Sequence, residues 1–249
     1  MRSRWCTAVS LLGVLLATGC ATAIGGKAVP APNQLPHPVI GEKVKQVLPD
    51  SAALSKLLDR PFQAISQFPP VFGGGEILED DYPSTSPAEC MGVVYMAQKS
   101  PYQSADVKNV ARELWQQEGS PERAIDIAEG VVALPTMADA IALFAKFSAQ
   151  WQQCDAKTLT VPASSFVQNV ISDVRVKDSV VAAGVSREPG DQSILVAVPE
   201  VRALGVRGNC LVEVEAAFVG STDLTDQPSA KTDAVAIAHA MMDKVSALS

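Results

Sequence analysis

From Lys157 to Gly220 the chain reads in short runs rich in valine and isoleucine, several of them alternating apolar with polar: KTLTVP, FVQNVISDVRV, SVVAAGVSRE, QSILVAVPEVRALGV and NCLVEVEAAFVG. A period of two marks strands with one buried face. The breaks at Val176–Asp178, Glu188-Pro-Gly-Asp191 and Arg207-Gly-Asn209 are too short for crossovers, so neighbouring strands run antiparallel. Two more strands are predicted at about 106–116 and 124–134, and a further short one at FQAISQF. Helical spacing appears in three places. Leu54, Leu57 and Leu58 follow a Pro-Asp start; Met137, Ile141, Phe144, Phe147 and Trp151 follow Thr136 with Asp139 as capping-box partner. Ala234, Ile237, Ala238, Met241, Val245 and Leu248 form a stripe on a last helix from about 229 to 248. Ser86-Pro-Ala-Glu89 opens a further predicted helix, about 87–98, with Cys90 in its first turns. The pattern gives one α+β domain: an antiparallel sheet flanked by helices. A cleft is expected where the helices leave the sheet uncovered, lined by inward residues of 165–174 and 192–206 such as Val170 and Val196.

The N-terminus departs from this pattern. A basic start with Arg2 and Arg4 precedes an apolar run, Ala8–Leu16, and then Ala17-Thr-Gly-Cys20. This is the layout of an export signal, and the run is shorter than the roughly 20 residues a membrane-spanning helix needs. Small-small-Gly-Cys resembles the bacterial lipobox, which implies that residues 1–19 are cleaved, Cys6 with them, and that Cys20 is lipidated. Attached acyl chains hold such a protein to the extracytoplasmic face of the cell membrane. Residues 20–47, rich in Ala, Gly and Pro, read as a flexible tether that includes His37, and 48–249 as the folded domain.

Cleavage removes two of the 20 basic side chains and leaves 18 against 27 acidic ones, a net charge of −9. That balance excludes nucleic acid as a partner, which calls for basic patches. The segment PPVFGGGEILEDDYPSTSP lacks the Gly-Lys-Ser/Thr of a phosphate loop, and its carboxylates Glu76, Glu79, Asp80 and Asp81 are bunched rather than alternating as in a calcium loop. It reads as a mobile surface loop.

Trp151-Gln-Gln-Cys154 followed by Thr158-Leu-Thr160, Pro87-Ala-Glu-Cys90, and Arg202-Ala-Leu-Gly-Val-Arg-Gly-Asn209 before a valine-rich strand carry a resemblance. Together they are similar to the PknH-type extracellular sensor domain, the outer part of certain mycobacterial Ser/Thr kinases, which also occurs alone in lipoproteins. The resemblance runs from about Leu48 to the C-terminus. It implies an antiparallel sheet flanked by helices, a cleft for an unidentified ligand, and no known catalysis. It also implies a disulfide between Cys90 and Cys154. A second family bridge would fall near Glu200 and Ala217, where this chain has no cysteine, while Cys210 matches neither position. Arithmetic alone leaves three cysteines, Cys90, Cys154 and Cys210, in an oxidising compartment, with pairings to Cys210 open. Three scattered cysteines with no C-x-x-C and no nearby histidine do not suggest a metal, and nothing suggests a cofactor.

The expected function is therefore a membrane-anchored module that binds a small molecule or cell-envelope component. The alternative is an interaction module acting on an envelope complex or sensor kinase. An enzyme, such as a hydrolase, is the least supported class. The catalytic motifs G-x-S-x-G, H-E-x-x-H and S-x-x-K are missing, Ser100, Ser164 and Ser165 have no visible base, and His239 falls on a predicted exposed face. Asp126 with Glu129 is the one candidate carboxylate pair, and strand alternation explains both.

Overall fold

The computed structural model describes residues 37–119, 124–220 and 230–249. The expected signal segment, Cys20 and the beginning of the tether lie outside the described residues.

A 3-10 turn, Gly41–Val47, leads into α1 (Ser51–Leu58). Short strands β1 (Phe62–Ala64) and β2 (Val71–Gly73) follow, then short helices α2 (Met91–Val94) and α3 (Lys99–Tyr102). Strands β3 (Asn109–Gln117) and β4 (Ala124–Ala133) precede the long α4 (Met137–Cys154). Next come β5 (Thr158–Thr160), β6 (Gln168–Lys177), β7 (Val180–Glu188), β8 (Val198–Arg207) and β9 (Cys210–Val219), and the chain closes with α5 (Ala230–Leu248). Among the described residues the strands form one nine-stranded antiparallel sheet, ordered β1-β3-β4-β9-β8-β7-β6-β5, with β2 also paired to β3.

Each face of this sheet carries its own apolar layer. On one, Ile127 and Val131 of β4, Val201 and Ala203 of β8 and Val212 and Val214 of β9 pack with Leu54 of α1 and Ile237, Met241 and Val245 of α5. On the other, Val132, Leu204, Leu211, Val181 and Ile171 pack with Val93 and Val94 of α2 and Leu143, Phe147 and Trp151 of α4. Strands buried on both faces read as near-continuous apolar runs, as VVAAGV and RALGV do. Gly205 lets α5 approach closely, for a Cβ there would stand 2.7 Å from the Met242 sulfur and 3.2 Å from Val212. Overpacking of this kind costs about 1–3 kcal/mol, so Gly205→Ala is expected to lower the urea midpoint without changing the slope of the transition; an unchanged midpoint would mean the contact relaxes freely.

Several expectations need correction. The fold starts before residue 48: Val39, Val44 and Val47 are fully buried. Asn209 grips Val39, accepting from its N–H at 2.7 Å and donating to its carbonyl at 3.1 Å. An isolated valine clasped by a side chain 170 residues away leaves no periodic signal. The 69–87 segment is not a mobile loop; it supplies β2, and Glu79 pairs with 97–99 through backbone bonds of 2.8 and 2.9 Å. The 87–98 helix is broken into α2 and extended chain. Ser86 does not cap it, because its backbone bonds to Thr160 at both N–H and carbonyl, and Ala97 takes φ 53°. In α4, Met137 and Ile141 are half exposed while Ala140, Leu143, Phe147, Trp151 and Cys154 face the sheet.

Cys90 and Cys154 form a disulfide with their Cα atoms 5.7 Å apart. It ties the end of α4 to the start of α2, which answers the pairing left open by counting. Cys210 is a free, fully buried thiol beneath Val39. Burial pushes its pKa up to about 12. A thiol reagent is accordingly expected to label Cys210 only after unfolding; labelling of the native protein at the denatured rate would contradict its position.

Candidate functional site

Charged residues interrupt the apolar runs of β7, β8 and β9: Arg187, Glu200, Arg202, Glu213 and Glu215. Their parity places all of them on the α4 side of the sheet, where neighbouring strands bring them together. Arg202 is fully buried. Its Nη2 donates to Glu213 at 2.9 Å, its Nε to the Val93 carbonyl at 3.1 Å, and its Nη1 to the Val214 carbonyl at 3.2 Å. The other Glu213 oxygen accepts from the Tyr102 hydroxyl at 2.6 Å and from the Ala97 N–H at 3.1 Å. Burial and the Glu213 carboxylate hold the Tyr102 hydroxyl well above its usual range.

This inner pair fixes the 93–102 segment against the sheet, and the fixed segment builds a groove. Met96 lies over Gly130, where a Cβ would stand 2.5 Å from its terminal carbon. Beside it opens a groove of about 660 Å³ between the sheet and two connecting segments. Arg112, Leu114, Ala128, Glu215 and Arg187 line the sheet side, Tyr95, Met96 and Gln98 one wall, and the 67–82 segment the other. The volume falls in the range of small-molecule sites, about 300–1,000 Å³.

At the inner end Arg187 faces two carboxylates, Glu200 at 3.3 Å and Glu215 at 3.6 Å, while its guanidinium lies 5.2 Å from the Tyr95 ring centre and 4.9 Å from that of Phe166. Burial first, and then the Glu215 carboxylate, push the Glu200 pKa up to about 8, with Arg187 and Arg202 pulling against them. The folded state thus keeps a proton that the unfolded chain releases from about pH 4.5 upward. With more protons bound when folded, stability falls as pH rises from about 4.5 to about 8. Glu200→Gln is expected to remove that fall, so wild type should lose stability relative to the variant between about pH 5 and about pH 8; urea midpoints at both values check this, and a constant difference would contradict it.

At the outer end the charges are matched: Arg112 with Glu79, and Lys99 with Asp80 at 2.5 Å. Gln98 is the exception. It is 4% exposed and its Nε2 reaches the Met96 carbonyl at 3.4 Å, yet its Oε1 has no partner in the protein. Arg112 Nε is likewise without one. A buried polar atom left unpaired is destabilising until something supplies the missing bond.

A family model for the PknH-like extracellular domain matches residues 39–244. The chain belongs to the PknH-like extracellular domain family. The match begins at Val39, the first buried residue among those described. Among solved structures, the extracellular domain of PknH from Mycobacterium tuberculosis is similar to it, with 21% identity and a TM-score of 0.66 over 85% of this chain and 99% of that one. At that identity the likeness establishes the fold. No curated protein matches the chain.

In this PknH-like domain Glu200 and Ala217, where the resemblance implies a second bridge, are direct register partners on β8 and β9. Instead of a crosslink there, the chain carries a buried carboxyl bound to Arg187. The expected cleft lies elsewhere than foreseen. Val170 is 38% exposed, and Val196, 59% exposed, precedes β8 altogether. Ile171, next to Val170, is the buried one, beneath α4, so that this part of the sheet is covered and the groove opens at β3, β4 and β9. Asp126 and Glu129 cannot act as a pair: Asp126 shares the face of Ala128 and Val132, Glu129 that of Ile127 and Val131. Burial raises the pKa of both, that of Glu129 strongly. His37 is exposed and His239 partly so. Among the described residues no group of three or more His, Cys, Asp or Glu is placed to hold a metal ion, and no helix is long and apolar enough to cross a membrane.

The sequence pattern did not single out these charges, because strands with one buried face accommodate polar residues without any special role. The available signal was their setting: a charge inside a strand that is apolar at both parities has to find a counter-charge.

Proposed function

We propose that this chain is a lipoprotein held at the extracytoplasmic face of the cell membrane through Cys20, and that its groove binds a small molecule or envelope component without turning it over. The observation that carries the reading is the buried Gln98 Oε1, an acceptor without a partner at the wall of a groove whose arginines both face carboxylates. Interactions that leave one buried acceptor unused suit a ligand that supplies the donor. The anchor rests on the lipobox at Ala17–Cys20. A second reading, docking of an envelope protein, is favoured by the exposed run Ile194, Leu195 and Val196 before β8.

Ala128 lies at the base of the groove and is only partly buried, so Ala128→Trp should plug it and spare the core. The full chain isolated from the envelope of its own cells is expected to carry a bound species in native mass spectrometry, and the plugged variant to lose it. Identical masses for the two proteins would sink the groove reading. For the anchor, Cys20→Ala is expected to move the protein from membrane to soluble fraction; unchanged partitioning and mature mass would rule the anchor out.

A further inference from the structure

We infer that the ligand class of this groove is a neutral saccharide, an inference that rests on the groove being the binding site. Charge narrows the choice first. The cations at the rim and floor each face a counter-charge, Arg112 that of Glu79, Lys99 that of Asp80 and Arg187 that of Glu215, while burial raises the pKa of Glu129 and Glu200 and favours their neutral form. A cationic ligand would compete with Lys99 and the arginines for their carboxylates, and an anionic one would compete with those carboxylates for the arginines. A neutral hydroxyl breaks neither pair. It can donate to a carboxylate lone pair or accept from a guanidinium N–H while the pair stays intact.

The unused hydrogen-bonding atoms narrow it further. Gln98 Oε1 accepts and Arg112 Nε donates, and both are buried and unpaired. Filling both takes a ligand that carries donors and acceptors together, which a polyol ring offers and an acyl chain does not. The aromatic side chains supply the remaining complement. Phe68 stands 59% exposed at the lip, and Tyr82 lies against Tyr95 with ring centres 4.8 Å apart. Such rings offer flat apolar faces to the C–H face of a sugar, and their size matches its ring. A lipid tail would leave Gln98 and Arg112 unsatisfied, at the penalty that attends any buried unpaired group.

The test is calorimetric titration of the purified full chain with four classes of probe: neutral gluco-, manno- and galacto-trisaccharides, the corresponding uronic acid oligomers, amino-sugar oligomers, and a lauroyl-chain lipid. Binding is expected for at least one neutral trisaccharide, with the acidic and amino counterparts at least about tenfold weaker, the equivalent of one lost charge-matched contact. Phe68→Ala and Gln98→Leu should each weaken it about fivefold. Phe68→Ala should leave the urea midpoint of the free protein unchanged, since Phe68 is mostly exposed, whereas Gln98→Leu removes the Nε2 bond to the Met96 carbonyl along with the unpaired oxygen. Tighter binding of a charged or acyl probe, or no binding of any neutral saccharide, overturns the saccharide class. The bound mass of wild type against Ala128→Trp decides the groove separately, so the two failures are told apart.

Discussion

Replacing Arg202 by Leu is expected to lower the unfolding free energy by about 3–5 kcal/mol, the range for stripping one partner from a buried ion pair. Arg202 has no exposed surface and makes all its bonds inside the protein: to Glu213, to the Val93 carbonyl of α2 and to the Val214 carbonyl of β9. Removing it leaves Glu213 facing Tyr102 and the Ala97 N–H alone, and frees two carbonyls. The same loss loosens the 93–102 segment that forms one groove wall, so ligand affinity should fall with stability. A paired replacement, Arg202→Met with Glu213→Leu, is expected to recover much of the stability, because it removes both desolvated charges together. Urea unfolding of the three proteins measures both effects. A single variant within about 1 kcal/mol of wild type would show that the pair is not needed.

Removing the disulfide with Cys90→Ala and Cys154→Ala is expected to lower stability by roughly 4 kcal/mol, from the loop entropy released when residues 64 apart are no longer joined. Both cysteines are fully buried, so two small cavities add to the loss. Structurally, the bridge holds the C-terminal end of α4, and with it β5, to the turn before α2. Salt bridging of Lys157 to Glu89 at 3.9 Å is too exposed to replace it. A reductant should lower the melting temperature of wild type and leave the double variant unchanged. Equal sensitivity of the two proteins would contradict the pairing.

The sequence disclosed what local chemistry specifies. Asp50 accepts from the Ala53 N–H at the start of α1, and Thr136 accepts from the Asp139 N–H at the start of α4; both caps were readable. So were the long strands and the stripe of α5, because their periods are local. What stayed hidden depends on partners remote in sequence. The tie of Val39 to Asn209, the pairing of β2 with β3, and the contact of Tyr102 with Glu213 across 111 residues have no local signature. The groove was misplaced for a related reason. Parity shows that Val170 and Ile171 face opposite ways, but not which way faces a helix. That depends on α4 lying over Ile171, which tertiary packing decides.

The groove reading puts the bound ligand between the 67–82 and 95–98 segments and the floor of β3, β4 and β9. Backbone amide shifts of the full chain, recorded before and after adding an extract of its own envelope, test this most directly. Shifts are expected to cluster at Phe68, Tyr82, Gln98, Arg112 and Ala128, and to be absent in Ala128→Trp. Shifts confined to the α5 face around Met241, or to Ile194–Val196, would contradict it.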